Sequence, residues 1–463
     1  MNYAVRISKY VLRDFYPMAF FQKISAALRD DPLIRRVLRN SGHLFSSNAV
    51  SAVLSVLQGI LVARLLGNVN YGLVFSIIMP FTSNVNRLLS FRMSEVVVKF
   101  AGGALSQGHK ERAAAIIKGI GIAEALTSIV AYLVLLALSA WGAQVFAKDS
   151  TVIYLFQFYG LFLLANLVYE TSVGVLQTTN KFKRVASANF YQSIVLTALI
   201  VAVVIWNMGI LGVLTAYLVS KTVASLLILI AALRALKDDL GSGWARVSLK
   251  QVKDWKSIAS FALSTNLNGT VNLFARDNIS LYLALFLTKA EVGYFSLASR
   301  LINLVMLPIE PFIWPTYAEI TRTIAQKQWQ VTRKLLKQVS TLAGVWTLLA
   351  GGGLAALGWW LIPFLYGAEF APAYVCVLIL LVGYGVANIA NWNRPLLLAL
   401  GYPNYPLMVA AVTGAIEIVL IFLLVPTGGN LVGTAIFSAY LAVSILTNVA
   451  RGLSILKHNE ATA

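Results

Sequence analysis

The sequence predicts an all-α polytopic membrane protein with about twelve transmembrane helices, arranged in two six-helix lobes related by a pseudo-two-fold axis along the membrane normal. Hydrophobic residues make up 59% of the 463 residues and charged residues only 12%, about half the charged share of a soluble domain. Apolar stretches of about 20 residues, enough to cross a bilayer as a helix, recur from residue 44 onward. Short patterns shared by the two halves indicate an internal repeat.

Twelve apolar stretches set the order of the predicted helices, here called spans 1 to 12. Spans 1 to 6 are expected at about 44–64, 72–92, 113–139, 152–176, 188–206 and 212–233. Spans 7 to 12 are expected at about 257–287, 293–320, 338–362, 372–398, 406–426 and 430–450. The pattern at 63–72 recurs at 285–294, an offset of 222 residues. Because each half holds an even number of spans, the two repeats run in parallel.

These boundaries divide the chain into five parts. They are a basic amphipathic segment at 1–43, an N-lobe at 44–236, a basic linker at 237–256, a C-lobe at 257–456 and a tail at 457–463. The longest apolar run of the first part, 15–21, is short and interrupted by Pro17, so a secretory signal is not expected. Asp31-Pro32 predicts a helix start, and the basic residues after it predict a helix lying on an anionic membrane surface.

Positive charge is concentrated on one side of the predicted bundle. The two termini and the loops after even-numbered spans hold 28 Lys and Arg residues, whereas the opposite loops hold three. By the positive-inside rule, this split predicts an inner-membrane protein with both termini in the cytoplasm. The same rule accounts for the formal net charge of +19, so no nucleic-acid partner is expected.

The sequence argues against a soluble active site. No loop on the side opposite the termini exceeds about a dozen residues, which is too short for a catalytic domain. The three histidines and the single cysteine, Cys376, show no metal-ligand spacing. We therefore expect no enzyme, no metal and no cofactor, and a function carried out inside the bilayer.

Two repeat-equivalent spans carry polar stripes. In span 1 the stripe is Ser47, Ser51, Ser55 and Gln58, and in span 7 it is Ser260, Ser264, Asn268 and Asn272. Residues three or four apart share one face of a helix. They either join helices by hydrogen bonds, worth about 0.6–2 kcal/mol each, or line a hydrated space. Two stripes in equivalent spans favour the walls of a central cleft.

Arg276 continues the stripe of span 7 and is the leading candidate for substrate binding. It lies roughly 16 Å from the end of the span at about 1.5 Å per residue, where a charge is costly. An arginine there can hold a phosphate through paired hydrogen bonds. The alternative, an ion pair with Asp277, has poor geometry because neighbouring helical residues point about 100° apart. Weaker candidates for the same role are Arg300, Arg87, Lys221 and Arg394.

Acidic residues inside the spans are candidates for ion coupling and gating. Asp277, Glu124 and Glu417 are the candidates for binding a coupling ion, since ionisable groups inside membrane spans commonly mark ion pathways. Glu170 and Arg394 lie near the same ends of the repeat-equivalent spans 4 and 10. We predict that these two residues form a gate-like ion pair.

Three motifs resemble the Wzx-type polysaccharide flippase family, a branch of the multidrug/oligosaccharidyl-lipid/polysaccharide exporter (MOP) superfamily. They are Arg64-Leu65-Leu66-Gly67 with Tyr71-Gly72, Val175-Leu176-Gln177 with Asn180-Lys181-Phe182, and Asp277 with Val292-Gly293-Tyr294. The resemblance covers residues 41–456. It implies two six-helix lobes that form a V around a cationic lumen, in the inner membrane of a bacterium.

The resemblance also implies a function. Members move undecaprenyl-diphosphate-linked sugar units to the outer leaflet, driven by antiport of an ion such as H⁺ or Na⁺. Lumen arginines, Arg276 first, would hold the diphosphate–sugar head while the tail stays among the membrane lipids, and the polysaccharide polymerase and chain-length machinery are the expected partners. Two other functions stay open: a membrane-embedded glycosyltransferase, polymerase or ligase, and a multidrug cation antiporter of the same superfamily.

Overall fold

The computed structural model describes residues 32–89 and 92–461, and the side chains at 32–50, 267–268 and 311 fall outside this description. Helices make up 89% of the structure, and no strand occurs within the described ranges. The predicted all-α fold is confirmed. Of the predicted N-terminal segment, 1–31 lies outside the described residues, and a helix is present from Pro32 onward.

The first half of the chain forms spans 1 to 6. Span 1 and the start of span 2 belong to Pro32–Gly72, and span 2 continues through Leu73–Ile78, Met79–Leu89, Met93–Val96, Val97–Ala101 and Gly102–Ser106. Span 3 comprises Lys110–Gly142 and Ala143–Ala147, and span 4 comprises Ser150–Val152, Ile153–Gly160, Phe162–Ala165 and Tyr169–Thr178. Span 5 is Phe182–Ile205 and span 6 is Gly209–Leu240. The linker holds two short turns, Trp244–Arg246 and Leu249–Gln251.

The second half forms spans 7 to 12. Span 7 comprises Trp255–Asn272, Leu273–Asp277 and Ile279–Phe286, and span 8 comprises Lys289–Met306, Glu310–Phe312 and Ile313–Ala325. Span 9 comprises Trp329–Trp346, Thr347–Gly351 and Gly352–Tyr366, followed by the turn Ala368–Phe370. Span 10 comprises Ala373–Ile389 and Asn393–Ala399, and spans 11 and 12 share Asn404–Ala461. Left-handed glycines, Gly67 (φ 69°) and Gly429 (φ 68°), interrupt the shared runs of spans 1 and 2 and of spans 11 and 12.

Eight helical runs in the described ranges are long and apolar enough to cross a membrane. Two of them, Ser51–Ser106 and Asn404–Ala461, are 56 and 58 residues long, enough for two crossings each at about 20 residues per crossing. Spans 7 and 8 add the remaining two. Span 7 is polar along one face and span 8 is interrupted beside Pro308, so neither is one continuous apolar helix. Twelve crossings follow.

The apolar core is continuous at one end of the bundle and divided at the other. We call the end with the described termini and the Lys- and Arg-rich loops the basic end, and the opposite end the sealed end. At the sealed end, one core joins both halves and includes Phe156 and Phe437. Towards the basic end, one core surrounds Ile116 in the first half and another surrounds Leu335 in the second. Because these two cores are separate, we interpret the space between them as a cleft that opens at the basic end.

The linker is attached firmly to span 3. Arg112 Nη2 donates to both carboxylate oxygens of Asp254, each at 3.0 Å, and Lys118 Nζ donates to the carbonyl of Ala245 at 2.9 Å. Trp255, the first residue of span 7, packs against the core of the first half. Span 7 therefore starts on the first half of the molecule before it crosses to the second.

Candidate functional site

The sealed end is closed by a contact between two glycines. Gly72 in span 2 and Gly293 in span 8 lie against each other, and a Cβ added to Gly72 would lie 1.8 Å from the carbonyl oxygen of Lys289. A Cβ added to Gly293 would lie 2.7 Å from the carbonyl oxygen of Asn68. Side chains at these two positions would force the backbones apart, so the close approach of spans 2 and 8 depends on glycine.

Polar contacts reinforce this closure. The hydroxyl oxygens of Ser76 and Ser296, one helical turn below the glycines, are 2.6 Å apart. Lys289 forms an ion pair with Asp149 at 3.0 Å. Arg64 donates to two carbonyl groups near the end of span 9. These contacts join the first half of the chain to the second, and they close the lumen at the sealed end.

A charged pocket lies between spans 2, 4 and 7 on the seam between the halves. It has a volume of about 280 Å³. Its lining residues are Asn86, Arg87, Arg92, Glu170, Asn266, Gly269, Asn272 and Asp277. Every one except Gly269 is polar or charged. Four of them, Arg87, Asp277, Glu170 and Asn272, were predicted as site residues from the sequence.

An ion pair across the seam dominates this pocket. Arg87 of span 2 pairs with Asp277 of span 7, and one helical turn away Asn84 donates to Asn278. The side chains of Arg87 and Asp277 are 56% and 40% exposed. An exposed pair of this kind contributes about 0–1 kcal/mol, so an anion entering the pocket can displace the Asp277 carboxylate from Arg87.

A π-helical segment, Leu273–Asp277, sets the directions of Arg276 and Asp277. Segments of this type widen the helix locally and are frequent at functional sites. Asp277 points to span 2, whereas Arg276 is exposed and interacts with the hydroxyl of Tyr384 on span 10. The ion pair between Arg276 and Asp277, considered as the alternative in the sequence analysis, is not formed. Arg276 is not among the residues that line the pocket.

Glu170 lies in the broken part of span 4, and Glu124 reaches the same place from span 3. Glu170 accepts a hydrogen bond from Ser94, and Glu124 accepts from the backbone N–H groups of Glu170 and Thr171, each at 2.8 Å. Glu124 thus caps the helix Tyr169–Thr178, where a negative charge is favourable. The predicted Glu170–Arg394 ion pair is not formed in this structure, because Glu170 faces the pocket and Arg394 is exposed on span 10.

The polar stripes divide into several environments. Gln58 does not line the cleft, since it is buried and donates to Ser193 and Thr197 of span 5 at 3.2 and 2.8 Å. Ser51 borders a smaller cavity beside span 5. Ser55, Ser260 and Ser264 are exposed, and Asn272 lines the charged pocket. The side chains of Ser47 and Asn268 lie outside the described residues.

The remaining predicted residues lie away from the charged pocket. Lys221 and Arg300 contact aromatic rings: the Lys221 ammonium is 4.3 Å from the ring centre of Phe162, and the Arg300 guanidinium is 3.8 Å from that of Phe75. Glu417 is 4% exposed and borders an apolar groove of about 400 Å³ between spans 11 and 12. One of its carboxylate oxygens has no hydrogen-bond partner among the described residues.

Arg92 is a site residue that the sequence did not predict. Its sequence position indicates the loop after span 2, whereas helix resumes at Met93 and Arg92 lines the pocket. Arg92 pairs with Glu95 at 2.9 Å, and their i,i+3 spacing was the available sequence signal. A Cβ at Gly269 would approach Arg92 Nε to 3.4 Å, so glycine at this position keeps space for the guanidinium.

Residues 37–320, more than half of the chain, match the protein family described as polysaccharide biosynthesis protein. The chain belongs to this family. The chain shares its fold with an inward-facing MATE-family multidrug resistance transporter of the MOP superfamily. The TM-score is 0.73 and the sequences are 13% identical, over 89% of this chain and 96% of the transporter. The lipid II flippase MurJ, in an inward closed conformation, has a TM-score of 0.69 and 14% identity over 90% of each chain.

A MOP superfamily transporter from Pyrococcus furiosus also shares the fold, with a TM-score of 0.64 and 14% identity over 94% of this chain and 98% of its own. A search of curated proteins found no match to this chain. The family match confirms the predicted relation to polysaccharide biosynthesis proteins, and the shared fold confirms the two-lobed all-α architecture. The chain is a multi-pass membrane protein.

Proposed function

We propose that this protein is a flippase that moves undecaprenyl-diphosphate-linked oligosaccharides across the inner membrane for surface polysaccharide synthesis. The observation that carries the proposal is the arginine-containing pocket on the seam, open towards the basic end and closed at the other. A lipid-linked diphosphate is an anion with a long apolar tail, and guanidinium groups bind such oxygens through paired hydrogen bonds. A MOP-fold flippase of another lipid-linked substrate, lipid II, supports the assignment.

The proposal includes an orientation. The excess of Lys and Arg at the basic end places that end, with both termini, in the cytoplasm. The pocket then faces the leaflet in which the lipid-linked sugar is made. Oligosaccharides such as O-antigen or exopolysaccharide units are the substrate class, and the product is passed to a polymerase and chain-length machinery.

The pocket geometry supports alternating access. The substrate diphosphate replaces Asp277 as the partner of Arg87, which removes an ion pair between the two halves. Once freed, the Asp277 carboxylate is available to a coupling ion, H⁺ or Na⁺, together with Glu124 and Glu417. Closure of the basic end and separation of Gly72 from Gly293 would then move the headgroup outward. In this proposal the protein transports its substrate and catalyses no reaction.

The test compares variants in a deletion strain. Arg276→Ala and Arg87→Gln should insert normally and reduce surface polysaccharide by at least about tenfold, because each removes a charged hydrogen-bonding group. Arg234→Ala, which removes an exposed charge from the same end outside the pocket, is the matched control. Unchanged polymer with Arg276→Ala would remove that residue from the site, and unchanged polymer with both variants would contradict the proposal.

A second candidate function is multidrug cation antiport. The similarity to a MATE-family transporter, with a TM-score of 0.73, favours it, and the acidic groups of Glu170 and Asp277 in the pocket could hold a cation. A deletion strain that becomes drug-sensitive while its surface polysaccharide stays normal would support this function over the flippase. Purified protein that joins sugars without transport would instead support a membrane-embedded glycosyltransferase, polymerase or ligase.

A further inference from the structure

Arg300 is held across the seam by aromatic rings of the other half. It lies in span 8, and its guanidinium carbon is 3.8 Å from the ring centre of Phe75 and 5.7 Å from that of Tyr71, both in span 2. Side chains of a helix point towards its N-terminus, which for span 8 is the sealed end. The guanidinium also donates a hydrogen bond to the hydroxyl of Tyr217, and Tyr366 lies nearby.

Lys221 lies in the same aromatic cluster. Its ammonium nitrogen is 4.3 Å from the ring centre of Phe162 and 5.6 Å from that of Tyr159. Tyr217, which interacts with Arg300, is one turn before Lys221 on the same face of span 6. One cation from each half of the molecule therefore approaches this cluster, which we call the aromatic cage and define by Tyr71, Phe75, Tyr159, Phe162, Tyr217 and Tyr366.

Among the described residues, no carboxylate pairs with either cation of the aromatic cage. None of the ion pairs formed within residues 32–89 and 92–461 includes Arg300 or Lys221. In the charged pocket, by contrast, Arg87 and Arg92 each have a carboxylate partner. Cation–π contacts recover only part of the free energy that a cation loses on leaving water. An anion that entered the cage would complete the compensation.

We propose that Arg300 and Lys221 form a second, outer site for the diphosphate of the lipid-linked substrate, exposed when the sealed end opens. This inference rests on the proposed flippase function. A diphosphate esterified at both ends carries two negative charges, which match the two cations. Because Phe75 and Tyr71 belong to one half and Arg300 to the other, separation of the halves withdraws the rings from the guanidinium.

The two sites differ in a way that favours outward transfer. In the charged pocket, an incoming anion has to compete with Asp277 for Arg87. In the aromatic cage no carboxylate competes, so the same anion gains the full attraction of both cations. The headgroup would bind first at the charged pocket and then transfer to the cage as the halves rock, while the glycine contact keeps the cage closed until that step.

A disulfide lock separates the two sites experimentally. Ser76→Cys with Ser296→Cys, in a Cys376→Ser background, joins positions whose hydroxyl oxygens are 2.6 Å apart and should hold the sealed end shut when oxidised. The probe is undecaprenyl diphosphate added to purified protein in nanodiscs. In the locked protein, Arg87→Gln should weaken binding by at least about tenfold, whereas Arg300→Gln and Lys221→Met should change it less than twofold.

In the reduced, unlocked protein, Arg300→Gln and Lys221→Met should each lower transport by at least about tenfold. Arg300→Lys and Lys221→Arg keep the charge and should retain most of the transport, which separates loss of charge from misfolding. Equal weakening of probe binding by Arg300→Gln and Arg87→Gln in the locked protein would overturn the outer site, as would normal transport by the uncharged variants. If no form of the protein binds the probe, the flippase proposal itself fails.

Discussion

The halves of the molecule meet through different kinds of contact at the two ends of the seam. At the sealed end, backbones meet at Gly72 and Gly293, and a large apolar core joins the halves. At the basic end, the halves meet through long, exposed side chains such as Arg87 and Asp277. Backbone contacts depend on shape and tolerate no added atom, whereas exposed ion pairs can exchange partners with a solute. The first arrangement suits a gate and the second suits a binding site.

The largest effect is expected at the gate. Gly72→Ala places a Cβ only 1.8 Å from the carbonyl oxygen of Lys289. Overpacking of this kind costs about 1–3 kcal/mol. The sealed end should stay partly open, so a membrane-impermeant maleimide should label a cysteine at Ser76 several-fold faster in the variant.

Gly103→Ala provides the control for this prediction. It is also in span 2, but an added Cβ would have no neighbour within 4 Å, so the labelling rate should not change. Equal rates in the Gly72→Ala variant and the parent would show that the glycine contact does not control the gate.

A smaller effect is expected in the charged pocket. Asp277→Asn removes the carboxylate that competes for Arg87, so undecaprenyl diphosphate should bind up to about tenfold more tightly, by the free energy of one charge-assisted hydrogen bond. Transport should fall because the ion candidate is lost. Titration of the probe against both proteins measures the first effect, and weaker or equal binding in Asp277→Asn would contradict the idea that Asp277 occupies the place of the substrate.

The smallest effect concerns Asp149 at the sealed end, outside the spans. The Thr151 hydroxyl, and then Lys289, lower the pKa of its carboxyl from 3.8 to about 2. Because the pKa of Asp149 is lower in the folded protein than in the unfolded one, its contribution to the stability of the folded state is fully present above about pH 4. That contribution is lost as the pH falls through about 2. The rate of maleimide labelling at Ser76→Cys, divided at each pH by the rate for a fully exposed cysteine, should rise slightly on acidification over that window, because this ratio cancels the protonation of the thiol. Asp149→Asn should abolish the rise. If the rise persisted in Asp149→Asn, a titrating group other than Asp149 would be responsible for it.

Much of the fold followed from local patterns. Apolar length predicted the twelve spans, and the repeat at 63–72 and 285–294 marked the two segments that contain Gly72 and Gly293. The polar periodicity along span 7 predicted Asn272 as a lining residue, and Asn272 lines the charged pocket. These features depend on residues close in sequence, so helical geometry alone is enough to predict them.

Other features depended on packing between distant spans. Gln58 has the spacing of a cleft residue, yet it binds span 5, because a stripe does not specify which neighbour covers it. The π-helical turn that separates Arg276 from Asp277 has no sequence signature. The rings stacked on Arg300, those of Phe75 and Tyr71, come from the other half of the chain, and no local pattern could have predicted them. The placement of the remaining site residues stays a prediction.

The continuous core at the sealed end has a thermodynamic consequence. Opening that end exposes apolar surface now shared by the two halves, at about 25 cal/mol for each Å². The unloaded molecule should therefore rest with its cleft towards the basic end, and outward opening requires a free-energy source. Neutralisation of Arg300 and Lys221 by a bound anion would supply part of that work, so cargo and motion would be linked and an empty carrier would seldom cycle.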